Sequence, residues 1–202
     1  MFLPKIYPIT DAGLTRLLHA EQVKKLIKGG AEFIQLREKH ASPIDFFESA
    51  QEALEIARKH NVKIIINDRI DIALTLKADG VHLGQDDLPP EKARKILGKR
   101  AIIGFSTHNL EQALEAVKKP IDYIAVGPVF ATTTKENPDK IVRIEGLKQI
   151  RKEIGEFPIV AIGGINYENY QKVLDAGADS VAIISGILSD AKNITQNFRK
   201  LK

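Results

Sequence analysis

The sequence predicts a single α/β domain that folds as a (β/α)8 barrel, or TIM barrel, over residues 1–202. A chain of 202 residues is long enough for one such core. Eight short runs rich in Ile and Val lack polar alternation, which is typical of strands buried on both faces. Amphipathic segments separate the runs, and this alternation predicts a parallel sheet with right-handed crossovers. Eight units without a break favour closure over an open sheet.

The predicted elements follow one another without a linker. The strands are expected at residues 6–10, 33–37, 62–67, 80–83, 101–106, 123–127, 159–163 and 180–184. Two of the segments between them show a helical apolar face. The first face consists of Phe46, Phe47, Ala50, Ala53, Leu54 and Ala57, and the second of Leu110, Ala113, Leu114 and Val117.

Short motifs of small and acidic residues introduce the even-numbered strands. They are Gly30-Ala31-Glu32, Ala78-Asp79-Gly80, Ile121-Asp122-Tyr123 and Gly177-Ala178-Asp179. We expect structural turns there, at the floor of the barrel, where helices end and the chain re-enters the sheet. The longest irregular segment, residues 131–144, follows the sixth strand. A loop of that length in a compact barrel is usually functional, so we expect a lid or substrate loop.

The composition narrows the classes of function. The net charge is +4 and the pI is near 9.1. Because no ribbon of basic and aromatic residues accompanies this charge, it indicates Lys-rich outer helices and a mouth suited to anions, with no nucleic-acid partner. No apolar run approaches the ~20 residues of a membrane span, and no secretory signal is visible. Cysteine is absent, which excludes disulfides and thiolate chemistry. A cytoplasmic protein acting on small molecules is the expectation.

Polar and glycine residues follow nearly every predicted strand, at the end where barrel active sites lie. Their positions are Thr10-Asp11, Gln35 to Lys39, Asn67-Asp68-Arg69, His82 to Asp87, Ser106-Thr107-His108, Gly127-Pro128 with Thr132 to Lys135, Gly163-Gly164 and Ile184-Ser185-Gly186. Ordinary loop composition explains any one of these, but it explains the whole set poorly.

Gly163-Gly164, before a helix expected to start near Asn166, and Ile184-Ser185-Gly186 together predict a phosphate cradle. Glycines let backbone N–H groups approach a phosphate, and a helix N-terminus favours its charge. Barrels often bind phosphate after strands seven and eight. The alternative is a pair of tight turns.

Arg37 and Lys39 alternate with Glu38 at the end of the second strand. The period of two puts both cations on one side and Glu38 on the other. Two cations facing the mouth suit a pyrophosphate. A solvated charge cluster is the other interpretation.

Asp68 and Asp87 lie just past the ends of adjacent strands. Two carboxylates, with phosphate oxygens and waters, are typical of a Mg²⁺ site. They could instead act as general acid and base, or cap the following helices. Asp86 is expected to face the following helix, or to contact the metal ligands without binding the metal itself. His82 and His108 could be general bases, but a His inside a barrel is more often a hydrogen-bonded structural residue, so neither joins the catalytic set.

These motifs together resemble the thiamine-phosphate synthase (thiamine-phosphate pyrophosphorylase) family almost from end to end. The resemblance is carried by Gln35-Leu36-Arg37-Glu38-Lys39, Asn67-Asp68-Arg69, Gly80-Val81-His82-Leu83-Gly84-Gln85-Asp86-Asp87, Ser106-Thr107-His108, Gly127-Pro128-Val129-Phe130, Thr132-Thr133-Thr134-Lys135 and Ala161-Ile162-Gly163-Gly164-Ile165. Each motif is moderately specific alone, and their order and spacing are strongly specific.

The resemblance implies a reaction and a set of residues. 4-Amino-2-methyl-5-hydroxymethylpyrimidine diphosphate and thiazole phosphate would give thiamine phosphate and pyrophosphate, by a dissociative carbocation route with one Mg²⁺ per site. The pyrimidine diphosphate would be held by Gln35, Arg37, Lys39, Asn67, Ser106 and Lys135, of which Arg37, Lys39, Ser106 and Lys135 form the catalytic set. The thiazole phosphate would be held by Thr132, Thr133, Thr134, Gly164, Ile184 and Ser185. Asp68 and Asp87 would be the metal ligands.

Other functions stay open at this point. A thiazole tautomerase shares the barrel but uses neither diphosphate nor metal, and would be expected to lose the acidic ligands that this chain keeps. A non-catalytic binder of thiamine intermediates and another phosphate-barrel isomerase are further alternatives. Arg143 departs from the pattern, since a small residue is expected before Glu145-Gly146-Leu147. A homo-oligomer is compatible with the sequence.

Overall fold

A closed eight-stranded parallel barrel forms the centre of the molecule. The computed structural model describes residues 3–132, 134 and 139–202. Each strand pairs in parallel with the next along the chain, and β1 closes the barrel against β8, with Ile6 opposite Val181. The predicted (β/α)8 barrel is confirmed.

The strands are β1 (Ile6–Asp11), β2 (Phe33–Arg37), β3 (Lys63–Asn67), β4 (Gly80–Leu83), β5 (Ile102–Thr107), β6 (Tyr123–Val126), β7 (Ile159–Ile162) and β8 (Ser180–Ile183). The helices are α1 (Ala12–Thr15), α2 (His19–Gly29), α3 (Pro43–Lys59), α4 (Ile70–Thr75), α5 (Pro90–Leu97), α6 (Leu110–Ala116), α7 (Arg143–Ile154), α8 (Tyr170–Asp175), α9 (Ser185–Leu188) and α10 (Ile194–Arg199). The strands start and end within about one residue of their predicted positions.

Two predicted boundaries were wrong. The helix expected near Asn166 begins at Tyr170, because Asn side chains hold the chain in a turn first. Asn166 Oδ1 accepts from Glu168 N–H, and Asn169 Oδ1 accepts from Asn166 N–H, both at 2.8 Å. After the sixth strand the irregular segment stops at residue 142, since α7 begins at Arg143.

Arg143 adopts a left-handed backbone conformation, with φ of 62°. Glycine reaches this region at little cost, whereas a residue with a Cβ is strained there. This is the physical reason why glycine, the smallest residue, suits the position. Of the expected lid, residues 133 and 135–138 lie outside the described residues.

The main hydrophobic core lies between the barrel and its outer helices. Five of the six predicted apolar residues of α3 are buried there, and Phe47 is half-buried. The predicted face of α6 was partly wrong, because the helix packs through Ala113 and Ala116 while Leu114 stays 36% exposed. Successive residues point in different directions around a helix, so burying the side that carries Ala113 and Ala116 turns Leu114 toward solvent.

The floor motifs are structural turns, as predicted. The carboxylates of Asp79, Asp122 and Asp179 each accept a strand N–H at 2.8 Å, from Ile64, Ile103 and Ile159 respectively. Each aspartate thereby ties an even-numbered strand to the start of the odd-numbered strand before it. Hydrogen bonds to buried N–H groups at these entries favour the barrel register.

Two arginines reinforce the floor. Arg94 pairs with Asp122 at 2.7 Å, and Arg151 pairs with Asp179 at 2.5 Å. Each also donates to backbone carbonyls near the end of its own helix and across to the next turn. Within the residues that the structure describes, no helix is long and apolar enough to cross a bilayer.

Candidate active site

A cavity of about 520 Å³ opens at the carboxyl ends of the strands, and residues on or just after all eight strands line it. This end of the barrel is called the mouth below. The lining includes most of the residues singled out from the sequence, namely Gln35, Arg37, Lys39, Asn67, Asp68, Asp87, Ser106, Thr132, Thr134, Gly164, Ile184 and Ser185. Thr133 and Lys135 lie outside the described residues.

Two carboxylates and one ammonium meet where β3 and β4 end. Lys39 Nζ lies 2.5 Å from Asp68 Oδ2, and Asp87 Oδ2 accepts from Gly84 N–H at 2.7 Å. Burial and the neighbouring carboxylate of Asp68 raise the pKa of Asp87. A further cation bound here would reduce the repulsion between the two carboxylates.

Asp68 itself has a left-handed backbone, with φ of 62°. A non-glycine residue in this region is uncommon, although Asp tolerates it better than most. Its N–H donates to the carbonyl oxygen of His82 at 2.8 Å, which ties the end of β3 to β4. The Asp68 backbone is therefore fixed at the ends of β3 and β4, and its carboxylate is held by Lys39.

The donor set at Asp68 and Asp87 fits Mg²⁺, which is commonly held by one or two carboxylates together with substrate phosphates and waters. Hard carboxylate oxygens are the ligand type that Mg²⁺ prefers. Among the residues that the structure describes, no group of three or more acidic or imidazole side chains is placed to form a complete protein cage. A cation held here would need oxygens from a ligand or from water.

Arg37 and Lys39 both line the cavity, whereas Glu38 does not, as the alternation predicts. Arg37 is not a free cation, because its guanidinium pairs with Asp11 at 2.7 Å. Glu38 Oε1 accepts the backbone N–H groups of Lys39, His40 and Ala41 at 2.8 to 3.3 Å. These bonds lower the pKa of Glu38 despite its burial, and they fix the loop that carries Lys39.

Asn67 and Ser106 project polar groups into the cavity wall. Asn67 is buried, yet its carboxamide makes no side-chain hydrogen bond to any residue in 3–132, 134 or 139–202. A buried amide without partners inside a cavity is suited to a ligand. Ser106 Oγ lies 2.9 Å from His82 Nε2, and its carbonyl oxygen accepts from Gln85 Nε2 at 2.5 Å.

Gly163 and Gly164 form a turn with left-handed φ values of 101° and 65°. A Cβ at Gly163 would come within 2.5 Å of the Pro128 backbone, and one at Gly164 within 2.5 Å of the Ala131 carbonyl. Only glycine fits both the angles and the space. Beside this turn Ser185 opens α9, whose first N–H groups have no acceptor within the helix. The two predicted halves of the cradle are brought together at one side of the mouth.

His108 lies on the wall between β5 and β6. Its Nδ1 donates to the Gly127 carbonyl at 2.6 Å, and its Nε2 is 3.4 Å from the Asp139 carboxylate. The ring thereby joins the end of β5 to the segment after β6. This placement supports a positioning role rather than that of a general base.

Tyr7 and Tyr123, which sequence reasoning missed, form the bottom of the cavity. Tyr123 was assigned to a floor turn, but its ring rises inside the barrel and its hydroxyl lies 3.1 Å from that of Tyr7. The space comes from Gly104, where a Cβ would lie 2.1 Å from the Tyr123 ring. A glycine in the middle of a predicted strand was the signal, because it marks a close approach.

Comparison with known proteins identifies the family. A family model described as thiamine monophosphate synthase matches residues 6–187. The thiamine-phosphate synthase of Chloroflexus aurantiacus is 45% identical over 199 residues, which covers 98% of this chain and 91% of the relative. That of Clostridium novyi is 50% identical over 187 residues, covering 92% and 91%. The solved structure of a thiamine phosphate pyrophosphorylase from Pyrococcus furiosus superposes with a TM-score of 0.87 at 38% identity, covering 98% and 93%. The chain therefore belongs to the thiamine monophosphate synthase family, a family of transferase enzymes.

Proposed function

We propose that the protein is a thiamine-phosphate synthase that joins 4-amino-2-methyl-5-hydroxymethylpyrimidine diphosphate to thiazole phosphate and releases pyrophosphate. One observation carries the proposal: a cluster of cationic and acidic side chains and a glycine turn face each other across one mouth. The cationic and acidic groups follow β2, β3 and β4, and the glycine cradle follows β7 and β8. In a closed barrel of eight strands, β3 lies opposite β7 and β4 opposite β8.

The diphosphate fits the side of the mouth that carries Arg37, Lys39 and the two aspartates. Arg37 and Lys39 provide positive charge from the end of β2. Asp68 and Asp87 would hold Mg²⁺ on this side of the mouth. When bound, the metal neutralises charge on the leaving pyrophosphate. Lys135 would add a further cation on the basis of its sequence motif.

The thiazole phosphate fits the opposite side. Backbone N–H groups at Gly164 and at the start of α9, with the Ser185 hydroxyl, would donate hydrogen bonds to a monophosphate and hold it without a cationic side chain. Thr132 and Thr134 line the cavity beside them and would close the site around the same phosphate. The predicted role of Thr133 rests on the sequence motif.

The chemistry needs charge compensation more than a base. The bond between the pyrimidine methylene carbon and the diphosphate oxygen breaks, and its electron pair leaves with pyrophosphate. The thiazole nitrogen then uses its lone pair to bond to that carbon, which is stabilised as a cation by the pyrimidine ring. Arg37 and Lys39 stabilise the departing charge, and the cradle orients the thiazole toward the carbon. Neither step requires a side chain to remove a proton.

The test is a single-turnover reaction of the purified protein with both substrates, run with Mg²⁺ and again with a chelator. Thiamine phosphate and pyrophosphate should appear in equal amounts with Mg²⁺, and neither should form at an appreciable rate without it. Isomerisation of the thiazole without metal and without pyrophosphate release would identify a tautomerase instead. Tight binding of both substrates with no product would identify a binding protein.

A further inference from the structure

A continuous line of hydrogen bonds crosses the bottom of the cavity, from β2 to β5. It is called the interior chain here and runs Gln35–Tyr7–Tyr123–His82–Ser106. The successive distances are 2.9 Å from Gln35 Nε2 to the Tyr7 hydroxyl, 3.1 Å to the Tyr123 hydroxyl, 3.0 Å to His82 Nδ1 and 2.9 Å from His82 Nε2 to Ser106 Oγ. All five residues line the cavity, with Gln35 and Ser106 at the two ends of the interior chain.

The two tyrosines in the middle of the interior chain are almost fully buried. Tyr7 is 1% exposed and Tyr123 is 0% exposed. Burial raises the pKa of both hydroxyls, so each keeps its proton. His82 is also buried, and both of its ring nitrogens face hydroxyl groups, an environment that favours the neutral ring with one N–H and one acceptor nitrogen.

These conditions make all hydrogen bonds of the interior chain point in the same donor-to-acceptor direction, which is called its sense below. Each tyrosine hydroxyl has a single hydrogen and two partners within the interior chain, so its buried hydrogen is paired only when it donates to one partner and accepts from the other. The same holds for the two nitrogens of neutral His82. Reversing the bond at one end therefore reverses every bond to the other end.

The two senses present different groups to the cavity. In the first sense, His82 donates to Ser106, and the serine hydrogen is free for a ligand. At the other end, Gln35 donates from its NH₂ group to Tyr7 and turns its carbonyl oxygen toward the cavity. In the second, Ser106 donates to His82, and Gln35 turns its NH₂ group outward. The observed bond from Gln35 Nε2 to Tyr7 belongs to the first sense. Within the described ranges, no group donates to Gln35 Oε1.

We propose that Tyr7, Tyr123 and His82 are positioning residues that couple recognition of the two ends of the pyrimidine diphosphate. An anion that accepts the Ser106 hydrogen holds the chain in the first sense, and Gln35 then offers a carbonyl oxygen to the ring. That oxygen accepts from a ring amino group and repels a ring carbonyl. The diphosphate thereby strengthens selection of an amino-pyrimidine over an oxo-pyrimidine. This inference rests on the proposed function.

The experiment measures binding of four ligands in the presence of Mg²⁺ and without thiazole phosphate. They are the 4-amino and 4-oxo forms of the pyrimidine diphosphate, and the same two rings as unphosphorylated alcohols. In the wild type, the preference for amino over oxo should be about tenfold larger for the diphosphates than for the alcohols, which corresponds to about one hydrogen bond.

Tyr123→Phe removes the central hydroxyl and keeps the ring that packs over Gly104. In this variant the amino preference should be the same for diphosphates and alcohols. Tyr7→Phe interrupts the chain at a second point and should give the same loss, so the test does not depend on one variant. Tyr170→Phe, on α8 and outside the cavity lining, is the matched control and should keep the tenfold difference.

If the tyrosines had a purely structural role, the variants would bind all four ligands more weakly by the same factor. The tenfold difference in amino preference between diphosphates and alcohols would then be unchanged. Persistence of the tenfold difference in both Tyr123→Phe and Tyr7→Phe, or its absence from the wild type, would overturn the inference. Failure of the wild type to bind the amino diphosphate is a separate result that removes the proposed function, and the inference with it.

Discussion

The floor and the mouth of the barrel use the same kinds of charged residue in opposite ways. At the floor Asp179 accepts a strand N–H and is paired with Arg151, so its charge is compensated within the fold. At the mouth Lys39 pairs with Asp68, but a second carboxylate, Asp87, lies beside that pair, and burial together with Asp68 raises its pKa. Compensated charges favour the folded state, whereas crowded charges in a cavity are left for a ligand to neutralise.

The largest expected effect comes from Asp68→Asn at the mouth. Removing one proposed ligand charge should lower the rate of pyrophosphate release by about 100-fold or more while the protein stays folded. Asp87→Asn should behave in the same way. The measurement is single-turnover pyrophosphate release over a range of Mg²⁺ concentrations.

Asp71→Asn is the matched control for the change at Asp68. Asp71 lies three residues further on, pairs with Arg69 and does not line the cavity, so the rate should be kept. Near-normal turnover of Asp68→Asn at limiting Mg²⁺ would contradict the assignment of the metal to the mouth.

At the floor, Arg151→Ala should lower the free energy of unfolding by about 2–4 kcal/mol and leave turnover of the folded enzyme unchanged. The substitution strands the Gly177 and Phe157 carbonyls and the Asp179 carboxylate, which Arg151 now satisfies. Denaturant unfolding measures the loss. Lys148→Ala, an exposed change on the same helix, should have little effect. A large loss of kcat in folded Arg151→Ala would contradict the prediction that the floor contributes to stability and not to catalysis.

His82 should make the stability of the barrel depend on pH. Its pKa falls from 6.5 to about 4 in the folded state because burial disfavours the charged ring. Above pH 6.5 the ring is neutral in both states, so His82 does not lower the free energy of unfolding. As the pH falls toward 4 the free energy of unfolding decreases, by about 2 kcal/mol at pH 5. The wild type should lose more stability than His82→Gln between pH 7.5 and pH 5, in unfolding titrations. His60→Gln, at an exposed position, should follow the wild type, and an equal loss in His82→Gln would refute the prediction.

The smallest expected effect distinguishes the two sides of the mouth. Ser185→Asp places a negative charge in the proposed cradle, so thiazole phosphate should bind about tenfold more weakly while pyrimidine diphosphate binding changes much less. Titration of each substrate separately measures both constants. Ser189→Asp, at the other end of α9, serves as the control. Equal weakening of both substrates would mean that the two phosphates are assigned to the wrong sides.

Local sequence patterns were enough for the architecture and for much of the cavity wall. Strand positions followed from apolar runs, and parallel strands necessarily bring Arg37, Asp68 and Gly164 to one end. The start of α8 was missed because side-chain hydrogen bonds of Asn166 and Asn169 compete with helix formation. Leu114 was misplaced because a helical period alone does not tell how far around a short helix the buried side extends.

The sequence by itself determined the barrel, the end that carries function and the residue types available there, because period, length and composition are local properties of the chain. Only the tertiary structure decided which of these groups are partners. Tyr7 and Tyr123 are 116 positions apart, and closure of the barrel over Gly104 brings their hydroxyls together. Likewise Arg37 finds Asp11, and Lys39 finds Asp68, on neighbouring strands. Hydrogen bonds and ion pairs depend on distances of about 3 Å, which no spacing along the chain specifies.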